Sequence, residues 1–423
     1  MKYIKYVLLI FILTFVVAVY ASLYTVNKFP QFSRPVSINL NETHVLDLDS
    51  ITVVATTQYQ ANSFKKFMQG RHYRKAWETP IKVPVLNMNS YGNGLTPIKK
   101  GGGKQTKSLK LSSKDSFVYS LRSVNKFPQP LVPDFAKKIG LSNIVIDGIS
   151  AQHPYAALIV ANLSSQIGLL NTQPQLYFVP KQNGLNTYND EFGNKLYLLE
   201  FETENKNFTH LENVKSVVET DDLLELKQKH MSNVSIDKAF FIKSRLFDFI
   251  IGDWDRHAKQ WGWVLVEESD KLVAKALAAD RDNAFFYVDG VIPSIISNRF
   301  VVSDLQAFEK QINYVPALVE PNDRYFLQNT SEKIFITQAQ ILQRELTDEI
   351  IENAFKIWPK TFRDLDANTL IEKIKSRRNQ IVSYAKTFKA HIDKKGLIEE
   401  PLKGCEDLNL ISPLQKCFDC NNQ

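Results

Sequence analysis

Apolar positions along the chain fall into three regimes. Residues 6–23 form an almost uninterrupted apolar run behind Lys2 and Lys5, which is the pattern of a secretory signal or a single membrane span. From residue 36 to 88, short β-rich runs such as 51–55 are separated by polar and proline-containing turns, and the runs 108–111, 116–124, 176–179 and 196–201 also read as strands. After Phe300 helical spacing takes over. Leu370, Ile374, Ile381, Tyr384, Phe388 and Ile392 make one stripe of a long amphipathic helix, with Asp366 as its expected cap.

Two helices and a hairpin interrupt the middle of the chain. Ala156, Ala157, Ile159, Val160, Leu163 and Ile167 recur at helical spacing between Pro154 and Gly168. A second helix is expected to start near Ser235 as its cap and to run through Ala239, Ile242, Leu246, Phe249 and Ile250 into Gly252. Behind it, 261–266 and 272–278 read as a hairpin. The pattern predicts an α+β fold in which a membrane or signal segment (1–23) and a β-rich leading segment (24–95) precede a β-rich lobe (96–202) and a helical lobe (203–395), followed by a cysteine-containing tail (396–423).

Composition narrows the setting. With 423 residues, 44% of them apolar, the chain is long enough for two lobes with separate cores. The formal charge of +7 mildly favours anionic partners. No finger-type Cys/His spacing or recurring aromatic pattern accompanies it, so nucleic acid is not an expected partner. Cys405, Cys417 and Cys420 all fall in the last nineteen residues, which reads as one tail disulfide plus one free thiol in an oxidising compartment. Together with the apolar first segment, this predicts a body outside the cytoplasm, periplasmic or anchored facing the periplasm. Val19-Tyr20-Ala21 offers a small-residue cleavage site, which leaves signal and anchor both open.

Candidate chemistry lies in three separated stretches. Gly101, Gly102 and Gly103 sit among lysines, where backbone amides can approach phosphate oxygens, and Gln105, Thr106 and Ser108 add donors. Arg122 lies in the following strand and Lys126 at its end, and either can serve as the cation for a nucleotide's phosphates. Between the second helix and the hairpin stands Gly252-Asp253-Trp254-Asp255-Arg256-His257-Ala258-Lys259-Gln260. Protein kinases carry their catalytic base on such a loop, with a metal ligand five positions later, the separation of Asp255 and Gln260. His257 joins Asp255 as a catalytic candidate in the role of a hydrogen-bonded brace, Arg256 is expected to pair with a loop carboxylate, and Asp253 is the alternative base. Directly after the hairpin, Asp280-Arg281-Asp282-Asn283-Ala284-Phe285 occupies the place of a kinase's second metal-binding aspartate. If the segment is extended, Asp280 and Asp282 point to one side.

Asp255-Arg256-His257 with Gln260, and Asp280-Arg281-Asp282 followed by Ala284-Phe285, resemble the HipA/CotH-like atypical kinase superfamily. More closely, the chain resembles a group of bacterial envelope proteins with this kinase-like module, over roughly residues 51–300. His72-Tyr73-Arg74, Leu121-Arg122-Ser123-Val124-Asn125-Lys126 and His153-Pro154-Tyr155 carry that likeness too. The resemblance implies a two-lobed kinase-like fold, Asp255 as base, metal contacts from Gln260, Asp280 and Asp282, and phosphate contacts around the glycines. Gln260 stands where the HipA pattern has Asn. The expected activity is a metal-dependent phosphotransferase that uses ATP or another nucleotide with Mg²⁺ or Mn²⁺ and acts on an unknown envelope protein, glycan or small molecule. The alternatives are a non-catalytic nucleotide-binding scaffold, or a phosphatase or nuclease using the same aspartates.

Overall fold

A computed structural model of the chain describes residues 2–24, 31–36, 45–102, 105–298, 300–303 and 305–420. The fold is mixed α+β, built on three sheets. The first is antiparallel, ordered β1 (Phe32–Pro35), β2 (Ser50–Thr56), β3 (Pro80–Pro84). The second is also antiparallel, ordered β4 (Leu95–Gly101), β5 (Thr106–Ser113), β6 (Val118–Lys126), β9 (Lys195–Phe201), β8 (Gln175–Val179). In the third, β10 (Val214–Glu219), β12 (Trp261–Glu268), β13 (Lys271–Ala278) and β11 (Val234–Ile236) lie side by side, and the short β7 (Leu170–Asn171) also pairs with β13.

Strand periodicity explains how the second sheet is buried on both faces. Leu196 and Leu198 of β9 join the main core with Leu176, Phe178 and Val124, against the helix Ala156–Gln166, while Tyr197 and Leu199 turn to a second core with Leu109, Leu111 and Leu121. The β-rich leading segment is bonded to this sheet. The Leu86 amide donates to the Phe178 carbonyl at 2.9 Å, and the Ser33 hydroxyl accepts from the Leu196 amide at 2.9 Å and from Asn125 at 3.1 Å.

The second half is less purely helical than its pattern suggests. The hairpin β12–β13 recruits β10 and β11 in antiparallel and parallel register, and draws in β7 from the first half. The helix Lys238–Ile251 packs on this sheet, the helices Glu332–Glu345 and Asn368–Lys395 pack on that helix, and every residue of the expected stripe on the last is buried. Two expected caps differ. Ser235 lies inside β11, and Asp237 caps the helix instead by accepting from the Phe240 amide at 2.9 Å. Asp366 lies in a continuous π-turn, Arg363–Ala367, that leads into the long helix, so no free amide there needs a cap; its carboxylate stands 3.5 Å from His153 Nε2. In the tail, Cys417 and Cys420 form a disulfide and Cys405 is a buried free thiol.

Candidate active site

The loop that carries Asp255 is fixed at both ends. Gly252 ends the helix Lys238–Ile251 with φ 72°, and a Cβ there would meet the Phe308 ring at 2.5 Å, so glycine serves both the left-handed turn and the close approach. The turn Ala258–Gln260 then leads into β12. Arg256 ties this loop to the segment after the hairpin by donating to the Ala279 carbonyl at 2.7 Å and to the Gln260 carbonyl at 3.2 Å, while its guanidinium stacks 4.4 Å from the Trp261 ring centre. The Ala279 amide returns a bond to the Gln260 carbonyl at 3.1 Å.

Behind the loop lies a sealed ionic knot. Asp248 accepts from Arg245 and Arg281, each at 2.9 Å, and stands 3.2 Å from Arg256 Nε; Arg245 also binds Asp323 at 2.7 Å. Burial opposes ionisation of Asp248, but Arg281, Arg256 and Arg245 outweigh it and hold its carboxyl below the usual carboxylate value. Arg256 therefore pairs chiefly with a helix carboxylate; the loop's own Asp253 stands at 3.8 Å. Asp253 is buried with both carboxyl oxygens lacking hydrogen-bond partners among the described residues, and burial pushes its pKa well above the usual value. It does not line the cavity in front of the loop, so its position does not suit the alternative base.

That cavity, of about 550 Å³, lies between the second sheet and the loop. Gln105, Thr106, Arg122, Asp255, His257, Gln260, Asp280 and Asp282 all line it. His257 Nε2 stands 3.7 Å from Asp255, and burial lowers its pKa to about 4, with Lys403 and Arg256 adding to the effect. Lys126, at the edge of β6, binds Asp282 directly and donates to Thr106 Oγ1 at 2.8 Å. Gly101 and Ser108 face each other across β4 and β5, and neither they nor Gly102 line the cavity. The near edge of the β4–β5 turn is formed by Gln105 and Thr106 instead. Gly103 and Lys104 lie outside the described residues.

The segment 280–283 is a turn rather than an extended strand. Asp280 has φ 52°, and Arg281–Asn283 form a 3-10 turn. The turn aims both carboxylates at the second sheet, where Arg122 binds Asp280 and Lys126 binds Asp282. Their side chains keep 19% and 21% of their surface open, enough for exchange with a ligand. Burial opposes Asp280's charge, yet Arg122 and Lys126 lower its pKa; for Asp282, burial and the neighbouring Asp280 win against Lys126 and raise it. Among the described residues no three His, Cys, Asp or Glu side chains cluster closely enough to cage a metal. Two carboxylates fit a Mg²⁺ held partly by substrate phosphates, because that ion is ordinarily bound by one or two carboxylates plus phosphate oxygens.

Several lining residues are not among the expected site residues. Glu200 stands 3.2 Å from Arg122 Nε and accepts from Thr172; Asn283 accepts from Gln152 at 2.7 Å; Trp254, Lys259 and Lys403 complete the rim. Glu200 and Asp248 share one clue, a charge inside an otherwise apolar run of a strand or helix, which requires a buried partner.

No family model matches the chain. No curated protein matches it either. Among solved structures, one described as a Helicobacter pylori proinflammatory kinase, CtkA, matches at 16% identity and a TM-score of 0.38, covering 70% of this chain and 95% of its own. A TM-score that low carries no argument, and no comparison places the chain in the HipA or CotH group. The functional reading rests on the site's own residues.

Proposed function

We propose that this chain is an atypical kinase-like phosphotransferase, with β4–β6, β8 and β9 as the roof of a nucleotide cleft and the Asp255 loop as its floor. The observation that carries the reading is the convergence of Asp255, Asp280 and Asp282 with Arg122 in one cavity, from three stretches far apart in sequence. Two lobes of a kinase would meet there, and the nucleotide would be ATP or a close relative.

Arg122 and Lys126 are the phosphate cations, assisted by donors from Gln105 and Thr106. In the resting site they neutralise Asp280 and Asp282. A metal–nucleotide complex would exchange both pairs at once, its phosphates taking the cations and its cation the carboxylates, so no charge is left bare. Asp280, Asp282 and Gln260 would hold Mg²⁺ or Mn²⁺, which when bound supplies charge neutralisation at the phosphates. Asp255 accepts the proton of the acceptor hydroxyl as that oxygen bonds to the terminal phosphorus and the bridging oxygen leaves with the nucleoside diphosphate. His257, 3.7 Å from Asp255 in the resting site, would brace it by closing to hydrogen-bond distance.

The helix Lys2–Ser22 is long and apolar enough to cross a membrane, a test that a cleavable signal also passes. We place the body outside the cytoplasm, in the cell envelope, where the acceptor is an envelope protein, glycan or small molecule. Alkaline phosphatase fused after Gln423 tests this, because it folds only where its disulfides form. Activity there supports the location, and silence rejects it.

One observation favours a second reading, a nucleotide-binding scaffold without turnover. Arg122 and Lys126 are already paired with Asp280 and Asp282, and if the carboxylates keep these partners when a nucleotide enters, they do not take up the metal that turnover needs. Thermal unfolding of the protein with ATP, ADP or GTP, with and without Mg²⁺ or Mn²⁺, separates the cases when combined with a phosphate-release assay. Metal-dependent stabilisation with turnover supports the kinase. Stabilisation without turnover supports the scaffold, and no stabilisation by any nucleotide rejects both.

A further inference from the structure

The helix Lys2–Ser22 meets the body only near its C-terminal end among the described residues. Gln69 donates to the Ser22 carbonyl at 2.9 Å and to its hydroxyl at 3.0 Å, and the Tyr20 hydroxyl donates to the Ile139 carbonyl at 2.7 Å. Ser22 is buried, whereas nearly all of the preceding helix is exposed. At about 1.5 Å per residue, such a helix spans roughly 30 Å, the thickness of a bilayer's hydrocarbon core.

The two elements that grip this helix also carry exposed apolar side chains. The helix Ser63–Gln69 leaves Phe64 and Phe67 exposed at 43% and 64%, and the helix Asp134–Lys138 with its cap Ile139 leaves Phe135 and Ile139 exposed at 67% and 48%. The spacing of three residues puts Phe64 and Phe67 on one side of their helix, and Ile139 follows Phe135 just past the end of its own. The helix Val291–Ile296, packed on Ser63–Gln69, adds the exposed Ile295. Lys66, Lys137 and Lys138 are exposed among them. Single exposed apolar residues are ordinary. A group of them ringing the exit of a membrane-length helix and mixed with lysines is the surface an interface of lipid headgroups and upper acyl chains would cover.

We infer that the body rests on the bilayer through Phe64, Phe67, Phe135, Ile139 and Ile295, with Lys66, Lys137 and Lys138 at the level of anionic phospholipid headgroups. The inference rests on retention of the apolar helix as an anchor and is independent of the kinase reading. It has a consequence for the site. Leu131, at the rim of the cavity, precedes Ile139 by eight positions, so docking through Ile139 would turn this edge of the cleft toward membrane-borne acceptors.

The test uses the full chain in vesicles of phosphatidylethanolamine and phosphatidylglycerol. Nitroxide labels are placed through Phe67→Cys, Ile139→Cys and, as a control, Asp190→Cys, whose side chain is 95% exposed. The native cysteines are disulfide-bonded or buried. Labels at 67 and 139 should collide more with oxygen, which partitions into lipid, than with a water-soluble nickel chelate, and the label at 190 should do the reverse. Labels at 67 and 139 that behave like 190 on a chain still held in the bilayer would overturn the docking and leave the anchor intact. A mature chain recovered from cells by mass without residues 1–21 and washed free of membranes would overturn docking and anchor together.

Discussion

Two ionic clusters adjoin the Asp255 loop and use the same chemistry for different ends. Behind the loop, Arg245, Asp248, Arg256, Arg281 and Asp323 are sealed from solvent and pair at 2.7–3.2 Å, with Arg256 Nε close to Asp248 but not hydrogen-bonded to it. In front, Arg122 and Asp280 keep part of their surface open to the cavity, as does Asp282, whose partner Lys126 is buried behind the lining. The two clusters differ in where each pair's energy goes. A buried pair that loses one member leaves an uncompensated charge, which is strongly destabilising, whereas a cleft pair can trade partners with an incoming ligand. The rear cluster should therefore set the loop's geometry, and the front cluster should set what binds.

The largest expected effect comes from breaking the rear cluster. Asp248→Asn should cost about 3–5 kcal/mol of unfolding free energy, because Arg256 and Arg281 lose their shared carboxylate in a buried site. Denaturant unfolding checks it. A change below about 1 kcal/mol would show the knot to be no more than a surface-type pair. Asp255→Asn should leave stability and nucleotide affinity near those of the parent but lower turnover by about 10² to 10⁴. Equal turnover in parent and variant would remove Asp255 as the base.

A smaller effect is expected from Arg122→Gln, which should weaken nucleotide binding by roughly 1.5–3 kcal/mol, the usual worth of a hydrogen bond to a charged group. Its stability should move much less than that of Asp248→Asn, and the reverse ordering would erase the contrast between the clusters. The smallest effect concerns pH. Burial raises the Glu200 pKa to about 7, against the pull of Arg122 and of its hydrogen bond from Thr172. Below that pH Glu200 is neutral and releases Arg122 to phosphate; above it the carboxylate competes for the guanidinium. Nucleotide affinity should fall as pH rises through about 7, and Glu200→Gln should flatten the profile. A profile unchanged by that substitution would place the titration elsewhere.

The sequence made the strands and helices legible wherever periodicity was local. The sheet strands 108–111, 116–124, 176–179 and 196–201, the helix behind Pro154 and the hairpin after Trp261 all lie where apolar spacing puts them. It misassigned the caps at Ser235 and Asp366, because a side-chain cap depends on where the backbone turns, and neighbouring strand pairing and a π-turn decided that instead. At the site, motif spacing located the loop and the aspartates that face the cavity. It did not reveal that 280–283 turns, that Gly101 and Gly102 stand back from the cavity, or that Asp248 and Glu200 are the hubs. Those features arise from contacts between residues dozens to more than a hundred positions apart, which one sequence does not encode in its local pattern.

The central claim is that Asp280 holds the cation of a metal–nucleotide complex while Arg122 takes its phosphate. Calorimetric titration of the full chain with ATP, with and without Mg²⁺, for the parent and Asp280→Asn tests it most directly. Binding to the parent should tighten with Mg²⁺ by tenfold or more, about 1.4 kcal/mol, and the variant should lose that gain while keeping its fold. Equal Mg²⁺ dependence in both proteins, or no nucleotide binding by the parent, would contradict the account.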